Sequence, residues 1–390
     1  MQVKHWIYMR IIDMTKQTTF PRALLSQPVS ARLAYFQGKV VAHPLLKKTH
    51  QQLWNAIQQP TGATMIMVFG PTGVGKTTLR LRVQQQLQEA FQLENEQNSG
   101  YIPVVGLEVA VSDAGNFRWR DYYKRALLAL DEPLIERKRN DHHLLQQHQD
   151  LQQIIKPHMV TTELRWALEQ ALRYRQPAAF IIDEAQHFKK IASGRRLLDQ
   201  MDTLKSLANL TGTVHVLVGT YELLSFSHLN AQLDRRSLDI HFPRYHPDIE
   251  DDMIAFKRVL LTFQRHIPLE GEMDLVSRAE FFYERSVGCV GVLKDWLTRS
   301  LAVTLEEGQK TLTQTILEQQ AVPTRKLLRM AREIREGEDA LSSDGRMHTE
   351  LQNLLGLPMN PAELKQPNTN HKKSVGQRNP VRDPVGNHEF

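Results

Sequence analysis

The stretch Met65–Leu81, MIMVFGPTGVGKTTLRL, restricts the possible folds more than any other part of the 390 residues. An apolar run leads into a glycine-rich turn, and Lys-Thr-Thr then opens a helical pattern. Gly70, Pro71, Thr72, Gly73, Val74, Gly75, Lys76 and Thr77 complete the spacing of a phosphate-binding loop, with Thr78 beside it. The glycines let the backbone wrap phosphates, while its N–H groups and the helix N-terminus face the anion. In such a loop the Lys76 ammonium reaches the β and γ phosphates of ATP, and the Thr77 hydroxyl ligates Mg2+.

The pattern around this loop alternates between short apolar runs and helical stripes. Leu46, His50, Leu53 and Ile57 predict a helix that delivers the chain into the strand Thr64–Phe69. Residues 101–111 (YIPVVGLEVAV) read as one buried strand or a strand pair, and a helix is expected over 117–130. Further strands are expected at AAFIID and VHVLVG, with helices over 161–175 and 196–210 between them. This predicts an α/β fold, a P-loop NTPase with a parallel sheet core flanked by helices over residues 36–247. Residues 134–160 read as a helical insertion into it, marked by a stripe at Leu144, His148, Leu151 and Ile155. Helical patterns at 250–266, 275–286, 289–303, 310–318 and 323–337 predict a C-terminal helical domain over 248–340. Residues 1–35 are an N-terminal extension, and 341–390 are expected to be a mostly disordered tail, since 361–390 carry only six apolar side chains.

Two acids end the strand in AFIIDEAQ. Asp183 stands at a strand C-terminus, where open parallel sheets place their ligands, and is expected in the magnesium shell with Thr77. Glu184 is the candidate base or orienter for the attacking water. Thr220, after VLVG, is either a γ-phosphate sensor or a helix cap. In LDRRS, Arg235 and Arg236 are either solvated charges or a source of one arginine for a neighbouring subunit's γ-phosphate. The second reading requires an oligomer.

The formal charge of +6 and pI near 9.3 suit a nucleic-acid partner without requiring one. Candidate DNA contacts are Arg118, Arg120, Lys124, Arg137, Lys138, Arg139, Lys189, Lys190 and Arg195, although such runs are more often solvated faces. Trp119, between two arginines, has core packing as its alternative. The single Cys289 excludes an internal disulfide, and no run reaches the roughly 18 apolar residues of a membrane span. A cytoplasmic protein with no membrane partner is expected.

In this order the motifs resemble those of the AAA+ ATPases and, more closely, the TnsC/TniB group of transposition regulators. The resemblance covers roughly residues 35–305. It rests on YFQGKVVAHP, GPTGVGKTT, FIIDEAQHF, LVGT, LDRRS and SVGCVGVLKDWL. It implies that Asp183 and Glu184 are the Walker B pair, Thr220 the first sensor, and Arg235 or Arg236 the finger. It also places Lys294 at a second-sensor position in a lid domain, where many relatives carry arginine. Read from its surroundings alone, Lys294 is as easily a solvated helix residue. The resemblance further implies a bacterial protein that assembles with ATP as a ring or helical filament on double-stranded DNA. Such a homo-oligomer links a TniQ-like targeting adaptor, in part of the family beside RNA-guided complexes, to a TnsB/TniA-like transposase. Hydrolysis controls its disassembly. Alternative readings of the same core motifs are a helicase loader, an origin-binding or secretion-associated ATPase, or an ATP-locked scaffold that does not hydrolyse.

Overall fold

The computed structural model describes residues 19–92, 98, 100–110, 117–133, 135, 161–191, 195–227, 236–271, 273–342 and 351–356. The expected insertion apart from residue 135, the first eighteen residues and most of the tail lie outside them, as do Arg137, Lys138, Arg139 and Arg235.

Five strands form one sheet: β1 (Met65–Phe69), β2 (Val104–Glu108), β3 (Ala179–Asp183), β4 (Val214–Gly219) and β5 (Ser237–His241). Their order is β2-β3-β4-β1-β5 and every pairing is parallel. All residues of β1, β3 and β4 are buried, as the continuous apolar runs of a doubly covered parallel sheet require. On one face, Ile66, Val68, Ile181, Val216 and Val218 meet α2 (Pro44–Gln58) through Leu46, Leu53 and Ile57. They also meet α3 (Lys76–Ala90) through Leu79, Val83 and Leu87. Alternate residues Met65, Met67, Phe180, Ile182 and Leu217 are buried facing the other way. Helices α4 (Trp119–Ala129), α5 (Thr161–Arg175) and α6 (Arg195–Thr211) pack against one another, with α4 touching β2 and α6 touching β4. A short α7 (Leu224–Ser227) follows β4.

The segment 101–111 supplies one strand rather than a pair. The edge strand β5 had no continuous apolar run to announce it: Leu238 and Asp239 are exposed, and Ile240 is its one buried residue. Past β5 the described chain is helical: α8 (Glu250–His266), α9 (Ala279–Ser286), α10 (Val290–Glu306), α11 (Gln314–Gln320) and α12 (Thr324–Ser342). A core of Phe256, Leu260, Phe263, Phe282, Leu293, Trp296 and Leu297 joins α8, α9 and α10, and the Trp296 indole donates to the Leu317 carbonyl at 2.8 Å.

Helix α1 (Val29–Gly38) lies in a region whose sequence showed no sustained pattern, and tertiary contacts explain it. Phe36 is fully buried in the helical core, Tyr35 OH pairs with His266 Nδ1 at 2.8 Å, and Arg32 donates to the Pro268 carbonyl. The sheet and the helices up to residue 338 form one compact unit, and residues 339–390 form a second. The described part of the second unit is helix and turn.

Candidate nucleotide site

The loop between β1 and α3 takes its shape from two glycines. Gly73 (φ 78°) and Gly75 (φ 116°) occupy left-handed backbone conformations, which strain any residue with a Cβ. Lys76 opens α3 and is 9% exposed; its Nζ donates to the carbonyls of Gly70 and Pro71 at 2.9 and 2.8 Å. Burial pushes its ammonium down to about 8, against the opposing pull of Glu184, Cys289 and Asp183. A buried ammonium at the mouth of an N–H-lined loop suits a polyanion. The Thr77 side chain is exposed at the same helix start, and Thr78 is half-buried.

Asp183 ends β3 and is buried. Its Oδ2 lies 3.0 Å from Arg80 Nε and its Oδ1 accepts the Glu184 N–H at 3.0 Å. Arg80 is held in turn by Gln84, whose Oε1 accepts from Nη1 at 2.8 Å. Gly106 of neighbouring β2 makes room for this chain, since a Cβ there would collide with the Gln84 amide. Sequence reasoning missed Arg80; its only local signal was helical spacing one turn after Lys76.

Glu184 turns off the strand with φ 54°, a left-handed value uncommon for a residue with a side chain. Its Oε2 accepts a hydrogen bond from Gln186 Nε2. The other end of that amide, Oε1, accepts the Thr220 N–H at 3.3 Å. Thr220 Oγ1 accepts the Glu222 N–H at 3.4 Å and caps the 3-10 turn Tyr221–Leu223. The threonine thus fills the cap role that its position allowed, while its backbone joins the network around Glu184.

The helical region meets the loop through its backbone. Val292, in the first turn of α10, donates its N–H to the Gly73 carbonyl at 3.2 Å. Gly291 permits this approach, because a Cβ there would collide with the same carbonyl. Arg244, which follows β5, makes a bidentate pair with Glu338 of α12 at 2.9 and 3.0 Å and donates to Tyr283 OH at 2.9 Å. Burial opposes the Arg244 charge, but the Glu338 hydrogen bond and its carboxylate, with Tyr283, raise it further.

The remaining predicted residues are placed as follows. Lys294 Nζ donates to the carbonyls of Gln37 and Lys39 and stands over the Phe36 ring at 5.4 Å, so it ties α10 to the end of α1. Arg236 sits where β5 begins: its carbonyl accepts from Thr64 and Met65, and its Nη1 donates to Asn209 Oδ1 at 3.2 Å. The phosphate loop leaves the opposite, C-terminal edge of the sheet, about 17 Å of strand away. Arg236 therefore does not reach the phosphate loop of the same chain.

Trp119 packs among Phe117, Tyr122, Tyr123 and Phe188, with ring centroids 5.1, 5.4, 5.3 and 5.9 Å away. This is the core alternative offered by the sequence. The cluster brings the segment bearing exposed Arg118 and half-buried Arg120 and Lys124 against the segment bearing exposed Lys189. Lys190 and Arg195 lie on described backbone, in the 3-10 turn Ala185–Ile191 and at the start of α6. No group of side chains suited to holding a metal by itself occurs among the described residues, and none of their helices is long and apolar enough to cross a membrane.

Residues 58–226 match the family model of an AAA domain. Among solved structures, the chain is similar to the Aeropyrum pernix ORC1 protein in complex with DNA. That likeness has a TM-score of 0.50 and 14% identity, over 77% of this chain and 68% of that one. The Aeropyrum pernix ORC2 protein gives 0.48 at 15% identity, over 74% and 71%. The Drosophila ORC bound to DNA gives 0.44 at 12%, over 93% and 89%. At these identities the likeness concerns the fold. No curated protein matches. With its phosphate loop, its Asp183–Glu184 pair and a helical region resembling a lid, the chain carries an AAA+-type P-loop core, an ATPase domain.

Proposed function

We propose that this protein is an ATP-dependent, DNA-binding AAA+ switch that assembles on duplex DNA and regulates transposition. The observation that carries the DNA reading is the aromatic cluster around Trp119. The basic residues of 118–124 and Lys189, far apart in sequence, are held on segments that the cluster packs together through Phe117, Trp119 and Phe188. Contacts from such a face go mainly to the phosphate backbone, so they are salt-dependent and carry little sequence information.

Lys76 and the loop N–H groups hold the triphosphate. The exposed Thr77 hydroxyl and the Asp183 carboxylate would hold magnesium, whose charge would offset that of the β and γ phosphates. Glu184 orients the attacking water. Thr220 senses the γ-phosphate, and Arg235 or Arg236 of one subunit stabilises its developing charge in the next. The distance of Arg236 from its own loop supports a role in trans over one in cis. ATP bridging two subunits makes assembly depend on nucleotide, and hydrolysis loosens the joint. The resemblance to TnsC/TniB regulators adds the partners: a TniQ-like adaptor on one side and a TnsB/TniA-like transposase on the other.

A second reading, a loader or origin-type ATPase, is favoured by the likeness in fold to a solved origin-recognition protein whose structure contains DNA.

Electron microscopy of the purified chain with duplex DNA, in ATP, a non-hydrolysable analogue or ADP, tests the proposal. Rings or filaments on DNA only with the triphosphate are expected. A monomer in every condition overturns the assembly switch and favours a loader that awaits a protein partner.

A further inference from the structure

We infer that Gln186 is a positioning residue for ATP hydrolysis, coupling the orientation of the Glu184 carboxylate to the backbone of Thr220. The inference rests on reading Glu184 as the group that orients water. Gln186 is 8% exposed and both ends of its amide are engaged, Nε2 by Glu184 Oε2 and Oε1 by the Thr220 N–H. The partners fix the direction of the amide, because an ionised carboxylate only accepts and a backbone N–H only donates. A Cβ on Gly219 would collide with Gln186 Oε1, so a glycine before Thr220 leaves the space that the amide fills.

The backbone beneath Gln186 is pinned on both sides. Ala185 and Phe188 are fully buried, and His187 Nδ1 pairs with the Val109 carbonyl at 3.0 Å. Glu184 sits in an uncommon backbone conformation, and the Gln186 amide donates to its carboxylate. At 3.3 Å the Thr220 bond is near the long limit of a hydrogen bond. A displacement of residue 220 by a few tenths of an ångström breaks it, freeing the amide and then the carboxylate. One side chain thus links the end of β4 to the water-orienting acid. A purely structural glutamine would tie down the turn without changing kcat apart from KM.

The test uses the full chain with Mg2+, ATP and duplex DNA, and reads kcat and KM beside a thermal melt. Gln186→Glu keeps the size but replaces the N–H donor to Glu184 Oε2 with an acceptor. kcat should fall at least tenfold with KM within twofold and the melting temperature unchanged. Gln186→Ala should likewise lower kcat at unchanged KM. A folded Gln186→Glu protein with unchanged kcat, or with kcat and KM changed together, overturns the inference. If Gln186→Glu does not fold, Gly219→Ala reaches the same amide from the other side. Lower kcat at unchanged KM is then expected, and unchanged kcat overturns the inference. Glu184→Gln is run in parallel. Full turnover in that variant would refute the role given to Glu184 itself, separately from the coupling.

Discussion

Replacing Gly291 by alanine should weaken ATP binding while leaving the fold intact. In isolation the change favours α10, since alanine in a helix is better than glycine by about 1 kcal/mol. Here the added Cβ meets the Gly73 carbonyl oxygen inside contact distance and lies 3.1 Å from its carbon. Both are backbone atoms, so no side-chain rotation relieves the overlap. The helix start must retreat by about 1 Å or push Gly73 inward, at a cost of about 1–3 kcal/mol. Retreat also stretches the 3.2 Å bond from Val292 N to Gly73 O beyond range, and this bond contributes about 1 kcal/mol. The helix gain offsets the lost bond, so about 1–3 kcal/mol falls on the loop that wraps the phosphates. ATP affinity should drop about 5- to 150-fold. A fluorescent ATP analogue titrated alongside a thermal melt reads both quantities. Gly38→Ala, at the end of α1 with open space around its Cβ, should leave both unchanged. Wild-type affinity in Gly291→Ala would refute the claim that lid and loop are in register through this contact.

Lys76 makes binding pH-dependent in a defined direction. With its pKa at about 8 against an ordinary 10.5, the folded chain binds fewer protons than the unfolded chain between those values. Without nucleotide, stability attributable to Lys76 therefore rises as pH rises from about 8 to 10.5. The anionic phosphates favour the ammonium, so binding takes up a proton above pH 8 and affinity falls as pH increases to 9.5. Calorimetry in two buffers of different ionisation enthalpy measures that proton, and a zero value in the wild type contradicts the assignment. Glu338→Ala should cost about 1–3 kcal/mol in chemical denaturation, because Arg244, at 20% side-chain exposure, loses a bidentate partner. Glu338→Gln should recover part of this, and a loss below about 0.5 kcal/mol would refute a structural role for the pair.

What the sequence determined by itself was local chemistry. The glycines at 73 and 75, Lys76 at the head of a helix, and the acids ending AFIID are contiguous with their elements, so a few residues carried their meaning. Buried strands were legible because each needs a continuous apolar run. The tertiary structure decided everything that depends on two distant segments meeting. Arg80 reaches Asp183 across 103 residues, and Thr220 reaches Gln186 across 34. Arg244 and Glu338 find each other across 94, and Lys294 donates to carbonyls more than 250 residues earlier. None of these pairs follows from spacing along one helix or strand. Helix α1 and strand β5 went unread for the same reason: each is stabilised chiefly by partners elsewhere in the chain, Phe36 by Phe263 and β5 by its register with β1. Periodicity records which face of an element is buried, but not which residue waits on the other side.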